Sequence, residues 1–294
     1  MELLPQALVD GLMLGAIYVI IAIAFSLVYG VMHVIDFAVG EWIMLGAFAG
    51  YHLNRLSGLD PFLLLPAVFL VFAVLGYLFQ PLIHRVLSGT KGNPLLMGLV
   101  FTFGLSLMIR GLAQTFFGFY SLSTPSRFSN GSFFWEQGGF FVTISSVRFA
   151  GLVYAVIITA GLHWLLKYSN FGLGVRALAQ HKDAAGLMGV NNKRTSALVY
   201  GLYVGVSAMT GVLIGTILSV SAKMGPECTI FAFFVVVLAG MGYLAGVPAA
   251  ALLLGLIQSF FLIYLDPGYT LLAVFLVLFA ILLVSPTGMF RKGV

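Results

Sequence analysis

The stretch "IDFAVGEWIM" places two carboxylates, Asp36 and Glu41, close together in a chain that is only 8% charged and 61% hydrophobic. In such surroundings a carboxylate can hold a coupling proton or cation, or line a solute pathway, because an isolated charge away from water is costly. Arg110, in "LSLMIRGLAQ", falls inside an apolar run. It can snorkel to the membrane boundary or meet a carboxylate-bearing solute. A second polar concentration, "YSNFGLGVRALAQHKDAAGLMGVNNKRTS" over residues 168–196, gathers Arg176, His181, Lys182, Asp183, Lys193 and Arg194. Covalent chemistry finds little support. There is no H-E-x-x-H or G-x-S-x-G, and "GTKGN" lacks the spacing of a phosphate-binding loop. The histidines, at 33, 52, 84, 163 and 181, have no ligand spacing. The single Cys228 excludes an internal disulfide and a cysteine-based metal cluster, and packing is its expected role.

These residues have to be held by elements that live in lipid. Soluble domains carry about 25% charged residues, and a chain of 294 residues with mean hydropathy +1.09 has too few to cover a water-facing surface. The expected fold class is all-α, a polytopic transmembrane bundle. Nine apolar segments stand near 6–30, 36–53, 62–84, 94–117, 149–167, 196–219, 229–245, 247–264 and 269–286. A spanning helix needs about 20 residues. The second and seventh segments are short, so eight or nine spans are expected, some discontinuous or re-entrant. The first segment lacks a basic lead and carries Glu2 and Asp10, which argues against a cleaved signal. The whole chain, 1–294, reads as one membrane domain.

The basic residues set the expected orientation, because Lys and Arg are retained on the cytoplasmic side. With the N-terminus outside, Arg85, Lys91, Lys167, Arg176, Lys182, Lys193, Arg194, Arg291 and Lys292 fall inside. Only Arg55, Arg127, Arg148 and Lys223 fall outside. The C-terminus is then cytoplasmic. The aromatic-rich 117–148 connection is extracytoplasmic, suited to lie at the bilayer boundary or to form part of a docking platform for an external partner. Its "NGS" at Asn130 matches a glycosylation acceptor, a pattern short enough to arise by chance. Lys223 and Glu227 read as an exposed loop pair. Glycines at 11/15, 46/50, 201/205, 211/215 and 242/246 each share a helix face and allow close backbone approach.

Within 168–196, "VRALAQHKDAAGLMG" is rich in helix formers. Leu178, Ala185 and Met188 approximate one apolar stripe, and "GVNN" supplies a C-terminal stop. A short helix is expected, too polar to span and apolar enough on one side to need either the lipid surface or a groove on a soluble partner.

"FGLGVRALAQHKDAAGLMGVNNKR" resembles the cytoplasmic loop of ATP-binding-cassette permeases of the branched-chain amino-acid type. "GLMLGAIYVIIAIAFSLVYGVMHVIDFAVGEWIMLGAF" resembles that family's first two membrane segments, and "FAFFVVVLAGMGYLAGVPAAALLLGLIQ" its late Gly-rich hairpin. "SPTGMF" also fits, so four anchors lie in the family's order. The resemblance implies a coupling helix seated on a cytoplasmic ATPase, with Gly172, Gly174, Arg176, Ala177, Ala184, Ala185 and Gly189 carrying the role. It implies two ATPase subunits that use ATP, a second related permease, a periplasmic solute-binding protein, and a location in the bacterial inner membrane. No cofactor bound by this chain and no nucleic acid are expected. The implied cargo is a small polar solute, foremost branched-chain amino acids, with urea, amides and aromatic acids as relatives' cargoes.

Where the family shows Asn-Phe-Ala-His-Gly-Glu, this sequence has Asp36 and Val39 in place of Asn and His and keeps Glu41. Asp36, Glu41 and Arg110 stand as candidate pathway or gating residues. If the first helix is continuous, Asp36 is interfacial; if the chain re-enters after Gly30, both acids face a cavity. An ion-coupled secondary transporter is the competing reading, and it leaves the polar loop unexplained.

Overall fold

The computed structural model describes residues 4–88, 94–127, 131–137, 140–265, 267–285 and 288–290. Asn130, Glu2, Lys91, Arg291, Lys292 and part of "SPTGMF" lie outside them. Helices run α1 Leu4–Met32, α2 Val39–Ser57, α3 Pro61–Ser88, α4 Pro94–Phe117, α5 Ser146–Tyr168, α6 Asn170–Gln180, α7 Lys182–Leu187, α8 Asn192–Ile217, α9 Met224–Ala239, α10 Val247–Tyr264 and α11 Pro267–Val284. Each of the nine apolar segments is a helix. Six helices are long and apolar enough to cross a membrane by length and composition, and α9 and α11 are shorter apolar helices. A multi-pass helical membrane bundle follows.

Apolar side chains all round a helix call for burial all round. In α1 and α8, 83% of the most apolar window is buried, against 17% in α5, so the first two form the core and α5 lies at the periphery. Glycine permits the closest contacts between them. A Cβ on Gly46 of α2 would stand 2.1 Å from the Ala208 carbonyl oxygen of α8, and one on Gly211 1.9 Å from the Ile43 carbonyl oxygen. Gly11 and Gly15 of α1 face Leu256 and Leu252 of α10, as Gly205 and Gly201 of α8 face Phe69 and Ala73 of α3.

These pairings expose an inverted repeat that the glycine spacing alone did not reveal. Helices α1–α4 and α8–α11 repeat one plan: a long core helix, a six-residue break at 33–38 or 218–223, a short inner helix, then two more helices. The two copies run in opposite senses. α1 lies parallel to α9, with Tyr18 stacked on Phe231 at 5.2 Å and Gly30 beside Gly242. α2 lies parallel to α8, with Gly46 on Ala208 and Gly50 on Val212. α2 and α9 meet head to head, Gly40 on Gly225 and Phe37 on Phe233.

The 117–148 connection holds an element the aromatic composition did not predict, an antiparallel hairpin of β1 Ser132–Gln137 and β2 Phe140–Ser145. It is clipped to the start of α1. The Gln6 amide donates to the Thr143 carbonyl and accepts from its N–H at 3.1 and 2.9 Å, and Arg148 pairs with Asp10 at 2.6 Å. Upstream, Leu122 bridges to Val220 in the α8–α9 break, and the buried Asp60 carboxylate accepts from Ser126 Oγ and the Arg127 N–H.

Overpacking a filled helix contact costs about 1–3 kcal/mol. Gly46→Ala is expected to lose about that much, whereas Gly104→Ala, whose Cβ meets nothing within 4 Å, should hold or gain a few tenths. Unfolding of purified protein in mixed detergent checks the pair.

Candidate functional site

Two polar sites stand out, one inside the bundle and one beyond it. The inner site forms where α1 stops. Met32 is the last helical residue, His33 takes a left-handed φ of 53°, and the chain turns through 33–38 into α2. Non-helical backbone within a membrane protein survives only where protein satisfies its polar groups. Side chains from the turn itself, from α4 and from α9 meet several of these groups. Asp36 Oδ1 accepts from the Ala38 N–H at 2.8 Å. Thr102 of α4 accepts from the Phe37 N–H at 3.2 Å and donates to the Ile35 carbonyl at 3.0 Å. Thr229 of α9 accepts from the Gly40 N–H at 3.0 Å. Oδ2 of Asp36 accepts from the Tyr200 hydroxyl of α8 at 2.9 Å, and the carboxylate is buried.

α1 is continuous past Gly30 to Met32, and the Asp36 carboxyl is enclosed by protein, held by Tyr200 of α8 and by the Ala38 N–H. It serves the backbone that turns there. Glu41, in the first turn of α2, is also fully buried. Its Oε1 accepts from Ser106 Oγ of α4 at 3.0 Å, and Arg110 Nε stands 3.9 Å away. Oε2 has no hydrogen-bond partner among the described residues and rests on Gly225, where a Cβ would come within 2.3 Å. Arg110 is thus not a snorkelling residue alone: it leans to Glu41, a pairing that needed the α2–α4 contact to be seen. Thr102, Ser106, Thr229 and Tyr200 also belong to this cluster. Sequence reasoning passed over them because single hydroxyls in apolar helices carry no spacing signal.

The second site lies at 168–196, where the expected single helix is two. Tyr168 ends α5, and Ser169 caps α6, its Oγ accepting from the Gly172 N–H at 2.9 Å. His181 then breaks the run. Its backbone is extended and its Nδ1 accepts from the Ala184 N–H at 3.4 Å, a local cap that competes with helix continuation. α7 closes in a Schellman turn. Gly189, at φ 88°, donates to the Gly186 carbonyl, and the Val190 N–H reaches Ala185. Asn191 caps α8 through the Arg194 N–H at 3.0 Å, and Asn192 donates to the Lys182 carbonyl at 3.0 Å. Side-chain and backbone bonds thus lock the whole excursion.

The loop residues divide by environment. Gly172 is buried, and a Cβ there would stand 2.2 Å from the Leu166 carbonyl oxygen, so its smallness serves the α5–α6 joint. Arg176 is exposed and donates to the Leu166 and Lys167 carbonyls, capping α5. Leu178 and Ala185 are buried as the stripe requires, but Met188 is 86% and Leu187 89% exposed. Gly174 and Ala177 are half-buried, and Ala184 and Gly189 are exposed. Lys223 and Glu227 are exposed at the start of α9 with no ion pair between them among the described residues, and Cys228 is half-buried.

Tyr200→Phe removes a hydrogen bond to a buried carboxylate and should cost about 1.5–3 kcal/mol. Thr229→Val, which strips the Gly40 N–H of its acceptor, should cost about 1–3 kcal/mol. Chemical unfolding in detergent reads both; losses under about 0.5 kcal/mol, the range of ordinary surface changes, would contradict the site.

Residues 7–284 match the family model described as branched-chain amino acid transport system / permease component. The high-affinity branched-chain amino acid permease protein LivH of Salmonella typhimurium is 27% identical, covering 98% of this chain and 95% of its own. LivH of Escherichia coli is also 27% identical over the same shares. BraD of Pseudomonas aeruginosa, likewise a high-affinity branched-chain amino acid permease protein, is 30% identical at 98% and 95% coverage. No solved structure matches. The chain belongs to the family of branched-chain amino acid transport permease components, a membrane-embedded transport subunit and not an enzyme.

Proposed function

We propose that this chain is one half of the membrane pathway of an ATP-driven importer for branched-chain amino acids, with α6–α7 as the element that receives force from a cytoplasmic ATPase. Family membership and the names of relatives matched end to end support the solute class. The observation that carries the coupling reading is the pairing of rigidity with exposure. A segment held by three side-chain caps has no need to present Leu187 and Met188 to water unless something covers them. Together with Ala184 and Gly189 they form a small apolar face of the kind a helix lays into a groove. Arg176 acts in this reading on the inner side of the lever. It welds α6 to the last carbonyls of α5, so that displacement of α7 is passed to α5 and, through Asn191 and Asn192, to α8.

The positive-inside pattern supports an orientation with this face in the bacterial cytoplasm and the hairpin end of the bundle toward a periplasmic solute-binding protein. ATP is bound and hydrolysed in separate subunits, two of them beneath two permeases. Within the membrane, the head-to-head contact of α2 and α9 gives the inverted halves a common pivot. Glu41 and Arg110 stand beside it as the charged pair that a change in tilt would make or break.

Leu187→Asp and Met188→Asp place a charge on the docking face without touching a buried contact. Each is expected to reduce co-purification of the ATPase and ATP-driven uptake at least about tenfold, the effect of losing one interface anchor, while leaving the unfolding midpoint of the permease unchanged. Wild-type uptake and ATPase recovery in both variants would place the coupling face elsewhere.

A further inference from the structure

A groove of about 1050 Å³ runs along the outside of the core between α1, α5, α6 and α10. Its wall is built from small and apolar side chains, among them Ala16, Val19, Ala155, Ala160 and Leu252. At one end the character changes, and His163, Lys167 and Arg176 line the mouth with no carboxylate among the lining residues. None of these three is ion-paired among the described residues. Arg176 gives its hydrogen bonds to carbonyls at the end of α5, and no carboxylate among the described residues pairs with it. Lys167 lies 5.3 Å over the Tyr168 ring. At the same level Trp164 and Tyr168 are 64% and 67% exposed, the residue types that sit at the membrane–water boundary.

We infer that this groove binds one anionic phospholipid, its acyl chains along α1, α5 and α10 and its phosphodiester headgroup at His163, Lys167 and Arg176. The dimensions agree. Along α5 the lining runs from Ala155 to Lys167, about 18 Å at 1.5 Å per residue, close to the ~15 Å of hydrocarbon in one leaflet. α5 is the least buried of the long apolar helices, so the groove opens where lipid has access. Charge decides the headgroup. A zwitterionic lipid would leave Lys167 and Arg176 unneutralised, whereas each Lys or Arg near an anionic headgroup contributes enough for about a fivefold gain in affinity. The inference does not depend on the coupling reading, since it concerns the wall of α5 and not the exposed face of α7.

The test is native mass spectrometry of the intact transporter complex titrated with phosphatidylglycerol or phosphatidylcholine. The wild type should retain phosphatidylglycerol over phosphatidylcholine. The double variant His163→Gln/Lys167→Gln should lose that preference by about fivefold, the contribution of the one Lys charge removed, with phosphatidylcholine unaffected. Ala160→Trp should block both lipids, and Lys193→Gln, a basic residue outside the groove, should behave as wild type. Equal retention of the two lipids by the wild type, or an undiminished preference in the double variant, would overturn the proposal. So would quantitative cross-linking of Val156→Cys to the neighbouring permease, which would show protein in place of lipid; if Ala160→Trp fails to fold, the charge variant alone decides.

Discussion

The structure depends on the turn between α1 and α2, where backbone leaves helical geometry inside the protein. An unpaired amide or carbonyl there would cost several kcal/mol in a hydrocarbon setting. Asp36, Thr102 and Thr229 meet these groups from the turn itself, α4 and α9. Tyr200 in turn holds Asp36. The satisfaction of one short segment thus fixes the mutual placement of four helices. It also explains an acid buried in a chain with so few: its two oxygens accept from a backbone N–H and a phenol hydroxyl.

Glycine packing extends that constraint to the whole bundle. Because α2 touches α8 through Gly46 and Gly211, and α9 meets α2 at Gly40 and Gly225, the inner helices are held at backbone distance. A lipid-immersed bundle has no hydrophobic effect to press its helices together and relies on such close packing. The inverted repeat converts the local rule into an architecture, since α1 with α10 and α8 with α3 solve the same packing problem in opposite directions. A contact shared by the two halves at their centre can transmit a tilt imposed on one half to the other.

Much of this was legible in the sequence. Nine apolar runs became nine helices because greasy length is a one-dimensional property, and the polar loop was visible because Arg176, Lys182 and Asp183 have no place in lipid. The break at His181 was not, since "ALAQHKDAAG" is rich in good helix formers and the extended backbone at His181, with its side chain on the Ala184 N–H, shows only in the structure. The β-hairpin of 132–137 and 140–145 was missed because its aromatic runs were read as membrane-surface composition. Glu41 with Arg110 and Asp36 with Tyr200 depend on contacts between segments distant along the chain, which no local pattern encodes. The inverted repeat was hidden for a related reason: the copies share packing and breaks more than residues.

In the proposed reading, energy enters this protein from outside, through α6 and α7, and the buried acids organise structure and carry no coupling ion. Leucine uptake into vesicles holding the reconstituted transporter and its binding protein, with ATP supplied and all ion gradients collapsed by ionophores, tests it most directly. Undiminished, ATP-dependent accumulation is the result the account predicts. Accumulation that vanishes with the gradients and proceeds without ATP would contradict it.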